Sequence, residues 1–207
     1  MSGIIAQNVG RHTGLVKAAS AGGAWTLIST VTAAGDATIS FTSGLDSTYD
    51  EYCFKFINCH PETDAVAWSF NGSADSGSNY NVTKMSTVFN AHHDEANSET
   101  AFAYRTVQDI AQGTGFQELS YTADEGVMND ADASASGWLL LFDPSSTTFV
   151  KHFMATTQIM HRGGANIFSM NSYIGGYFNT TSAIDAIQFK FGSGDIDEGT
   201  ISLFGIG

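Results

Sequence analysis

The chain has 207 residues, 43% of them hydrophobic and only 14% charged, against roughly 25% charged residues in an ordinary soluble domain. Its formal net charge is −13, with 8 Lys and Arg against 21 Asp and Glu. That balance excludes the cationic footprint a nucleic-acid binder needs and disfavours an anionic membrane surface. The length suits one large β domain able to bury a real core.

The first residues stand apart. Ile4, Ile5, Val9, Leu15 and Val16 follow no sustained period, and Gly3, Gly10, Gly14, Gly22 and Gly23 break any helix. Residues 1–24 read as an extended arm and 25–207 as one β domain. Those apolar residues gain burial only against a partner. Arg11, His12 and Lys17 place positive charge on the arm of an acidic chain, which favours docking on an acidic body. The segment lacks the continuous apolar stretch of a signal peptide, and no apolar run approaches the ~20 residues of a membrane span. Synthesis in the cytoplasm without membrane insertion is the expectation.

From Trp25 onward, short alternating runs recur. WTLISTVT precedes ATISFTSG, and YCFKFIN places Tyr52, Phe54 and Phe56 on one face. Cys53 and Cys59 lie in this run, where an extended segment of six residues spans roughly 20 Å, too far for a disulfide unless the chain turns sharply near Asn58. They read as two small buried hydrophobes. VAWSFNG continues through Trp68 and Phe70, and Tyr80 beside GSADSGSN is the aromatic expected at the surface, a candidate for sugar contact. VTKMSTVF leads into residues 91–117, too long for a hairpin loop. Either a short helix near 107–112 or an excursion from the sheet is expected there. WLLLF is apolar on both faces, as in a strand covered on each side. TTFVKHFMATTQ and NIFSMNSYIGGYF carry the pattern on.

The chain closes on IDAIQFKFGSGDIDEGTISLFGIG, with Ile187, Phe189 and Phe191 on one side of the first run and Ile201 and Leu203 on one side of the second. Residues 184–206 read as a terminal hairpin completing a sheet. Many short strands without helical periodicity predict an all-β fold, an antiparallel β-sandwich. Phe54, Phe56, Trp68, Phe70, Leu140, Phe149, Phe189 and Leu203 are its expected common core.

Chemistry-bearing motifs are sparse. His92-His93-Asp94-Glu95 is the most suggestive cluster, yet neighbouring strand residues face opposite sides and the zinc spacing H-E-x-x-H is absent. It reads as a polar surface contact through His92 and His93. ADEGVMNDADAS and GDIDEG have oxygens for calcium but not the EF-hand pattern, and read as solvated turns. No nucleophile elbow, phosphate loop or dinucleotide fingerprint occurs. No cofactor, metal or catalytic residue is expected.

Several stretches resemble a family of small structural proteins of marine tailed bacteriophages. They are GIIAQNVGRHTGLVKA, WTLISTVT, FTSGLDSTYDEYCFKFINCHP, LLLFDPSSTTFVKHF and the closing GTISLFGI. The SGLDSTYDEY-to-INCHP and FDPSSTTFVKHF blocks are the most specific. The resemblance implies a jelly-roll-like sandwich in the virion, without enzymatic activity, released at lysis. It implies a tail-fibre or tail-tip module, with a head decoration protein or a glycan-binding or glycan-degrading virion protein as alternatives. Its partners would be other virion proteins and like copies in a trimer, with a host surface glycan as a further contact.

Overall fold

The computed structural model describes residues 24–121, 125–164 and 166–207. Thirteen strands run in order: β1 Trp25–Thr32, β2 Ile39–Phe41, β3 Glu51–Pro61, β4 Trp68–Ser73, β5 Lys84–Asp94, β6 Thr100–Tyr104 and β7 Ala111–Gly113. They continue with β8 Gln117–Glu118, β9 Ala135–Phe142, β10 Lys151–Gly163, β11 Asn166–Phe178, β12 Ala186–Phe191 and β13 Ile196–Ile206. Among the described residues there is no helix. The expected helix near 107–112 is a single turn at Arg105–Asp109, closed by the amides of Gln108 and Asp109 donating to the Arg105 carbonyl. Residues 91–117 instead continue β5, add β6 and β7 beside it, and enter β8.

All pairings are antiparallel. The large sheet has the order β1-β13-β3-β9-β10-β11-β5-β6, and the small sheet β2-β12-β4-β8. The orders β1-β13-β3-β9 and β2-β12-β4-β8 interleave along the chain as in a jelly roll, with β2 and β12 packed on β3, and β4 on β3, β10 and β11. The hairpin β10–β11 and strands β5 and β6 widen the first sheet beyond it.

Alternation builds the core between the sheets. Phe54 and Phe56 of β3 meet Phe189 of β12 at ring separations of 5.5 and 6.3 Å, and Trp68 stacks on Phe189 at 5.7 Å. Phe70 meets Phe153 edge-on at 5.2 Å, and Leu203 is fully buried. Two expected core residues do not belong there. Phe149 lies in the turn before β10 and is 69% exposed. Leu140 points to the far side of β9, because Leu139 and Leu141 hold its inward positions.

The terminal runs do not form a hairpin. β12 pairs with β2 and β4 in the small sheet, whereas β13 pairs with β1 and β3 in the large one. The loop between them arches across the sandwich, so Phe189 and Leu203 enter the common core from opposite sheets. The chain does bend near Asn58, at a bulge: Asn58 has φ 52°, and the register of β3 slips between Phe56 and Cys59. Opposite it Gly199 has φ 123°, and a Cβ there would fall 2.6 Å from the Cys59 Cα. Even so, Cys53 and Cys59 are both free and buried.

Candidate functional site

At one end of β5, β10 and β11, where Gln108 and the segment around β8 pack against them, the buried positions turn polar. Asn90, Gln108, Gln117, Ser120, Thr157, His161 and Ser172 are buried there. His92 and His161 lie at inward positions of β5 and β10, with ring centroids 6.3 Å apart. Phe168 of β11 stacks beneath His161 at 4.9 Å and meets His92 edge-on at 5.3 Å. Arg105 lies over the Tyr121 ring at 4.6 Å, donates to the Tyr121 hydroxyl at 3.1 Å and donates through Nε to the Asn90 side-chain oxygen. With Glu99, Glu125, Gly163 and Met170 these residues enclose about 340 Å³.

The unusual feature of this pocket is the state of its histidines. His161 is only 3% exposed, and neither its ring nitrogens nor those of His92 have a hydrogen-bond partner among the described residues. Glu99 stands 3.7 Å from His92 Nε2, beyond hydrogen-bonding range. Burial holds the His161 ring below the usual imidazole range; Glu125 opposes this, while His92 and Arg105 add to it. A neutral His161 ring, which both donates and accepts, suits a hydroxyl-bearing guest or water. Among the described residues no three His, Cys, Asp or Glu side chains are grouped to hold a metal ion.

The other candidate is the outer face of the large sheet. Cross-strand register aligns Tyr104, Phe89, Tyr173, Thr156, Trp138, Lys55 and Ser202 in one row. The next row runs Thr87, Gly175, Met154, Leu140, Cys53, Phe204 and Leu27. Phe89 stacks on Tyr173 at 5.1 Å, and Trp25 meets Phe204 at 5.5 Å at the opposite edge. Phe102 is 71% exposed, Met154 53% and Trp25 52%. WLLLF reads as covered on both sides, but Trp138, Leu140 and Phe142 are only half-buried.

The residues singled out by sequence are scattered. His92 and His93 do face opposite sides: His92 enters the pocket, and His93 lies on the outer face with Nε2 2.9 Å from the Asn97 side-chain oxygen. Tyr80 is half-buried, its hydroxyl enclosed without a partner among the described residues, so it offers no open stacking platform. The arm residues Ile4, Ile5, Val9, Arg11, Leu15, Val16 and Lys17 lie outside the described residues. Sequence reading missed the partners of His92. Period two continued past Ile159 puts His161 on the inner face, but nothing local joins it to Arg105 or Tyr121. No protein-family model matches the chain, and neither does any curated protein or solved structure.

Proposed function

We propose that the chain is a non-enzymatic structural component of a bacteriophage particle, a tail-fibre or tail-tip module serving assembly or host contact. In this reading it works as a homo-oligomer, a trimer on the family resemblance, with residues 1–24 docked on a neighbouring protein. The observation that carries the reading is the set of exposed large apolar side chains on the outer face of the large sheet, Trp25, Leu27, Phe102, Tyr104, Met154 and Tyr173, which stand among threonines and amides. The jelly-roll order supports it by analogy, since that architecture recurs in viral capsid and lectin domains. A head decoration protein would use the same face. A second reading, contact with a surface glycan, is supported by the unpartnered ring nitrogens of His92 and His161, which suit sugar hydroxyls.

The test is gold-labelled antibody against the chain, applied to purified particles and viewed by electron microscopy. Label at the tail is the expected result. Label over the head makes the chain a decoration protein. Particles without label, from a lysate in which the chain is abundant, overturn the virion assignment altogether.

A further inference from the structure

We infer that the outer face of the large sheet is a self-association surface whose occupant is the same face of a second copy. The inference rests on the homo-oligomeric reading above, but it makes the association two-fold rather than threefold, because a face that meets the same face of a second copy is an isologous contact. Its first support is the mismatch in β9. The run WLLLF has the composition of a strand covered on both sides, yet within one chain only Leu139 and Leu141 are buried, while Trp138, Leu140 and Phe142 stay half-exposed. In the neighbouring strands Met154 and Tyr173 also stand open, beside Thr156 and Asn171.

Charge selects the partner. Four cross-strand rows, from the one through Trp25 to the one through Phe102, carry only Glu51 and Lys55 as charged side chains. These two have opposite signs, so two copies can meet here although each chain bears a formal −13. A basic partner finds almost no acid to meet, and Arg11 and Lys17 of the arm likewise find only Glu51. Size and shape agree. Eight strands ~4.8 Å apart and four outer rows cover roughly 700 Å² in projection, close to the ~800 Å² per partner of a standard interface. Two identical sheets share one twist, which is the condition for aligned face-to-face packing at about 30°.

The experiment is sedimentation velocity of the full chain over a hundredfold concentration range. It is repeated with the double variant Met154→Glu/Tyr173→Asp and with Phe149→Asp, an exposed residue off this face. We expect the parent and Phe149→Asp to associate, and the double variant to associate roughly 100-fold more weakly while its thermal unfolding stays cooperative. If the double variant keeps the parent's mass, this surface is wrong while the homo-oligomeric reading stands. A parent that is monomeric throughout overturns both. A monomeric parent that begins to associate once residues 2–20 are deleted identifies the arm as occupant, and the second copy is rejected.

Discussion

Phe189 and Phe149 show how much one position decides. Both sit in alternating apolar runs, but Phe189 is enclosed by Phe41, Phe54, Phe56, Trp68 and Phe70, whereas Phe149 stands in a turn with its ring in solvent. Phe189→Ala is expected to cost about 3–5 kcal/mol in chemical denaturation, and Phe149→Ala to stay within about 0.5 kcal/mol. Equal losses would place the two rings in equivalent surroundings and contradict the packing. His161 makes a pH prediction. Its folded-state pKa is depressed, chiefly by burial, so the unfolded chain binds the proton more readily. Its contribution is therefore complete above the unfolded value of about 6.5 and is lost as pH falls through the folded value. The thermal midpoint of the parent should fall more between pH 7 and pH 5 than that of His161→Gln. Parallel declines would assign the loss to other groups.

At the level of elements, β13 carries the most consequence. It lies between β1 and β3, with Leu203 and Ile201 filling the core and its backbone bonded on both sides. β12 immediately precedes it in the chain but serves the opposite sheet. Deleting residues 196–207 therefore strips β1 of its sheet partner and leaves β3 as an uncovered edge. Loss of cooperative thermal unfolding is the expected outcome, read by circular dichroism. A truncated chain that unfolds at the parent's midpoint would mean that β13 is an add-on. Cys53 and Cys59 illustrate a subtler point: the bulge at Asn58 shifts the phase of β3, so Phe56 and Cys59 both face inward although three positions apart.

Over the whole molecule, the polar and apolar surfaces are sorted with a purpose the composition hides. The acidic residues that give the chain its −13 are nearly absent from the outer face of the large sheet, where exposed aromatic and aliphatic side chains alternate with threonines and amides between Trp25 and Phe102. At the far end of the same sheet, the inner face exchanges phenylalanines for His92, His161 and Arg105 around a pocket. In our reading, the broad face joins like copies and the polar end stays open for a guest.

The all-β class, the position of nearly every long strand and the inward residues Phe54, Phe56, Trp68, Phe70, Phe189 and Leu203 were legible in the sequence alone. Alternation is a local property, and a pleated backbone sends successive side chains to opposite faces whatever the strand pairs with. Pairing is different. Backbone hydrogen bonds are blind to side-chain identity, so adjacent runs such as 186–191 and 196–206 read equally well as a hairpin or as an arch between sheets. Only the tertiary structure chose the arch, exposed Phe149, and brought His161 of distant β10, with Arg105 just after β6, to His92. Alternation says that a face is covered, never by what. For the outer side of Trp138, Leu140 and Phe142, our proposal is another copy of the chain.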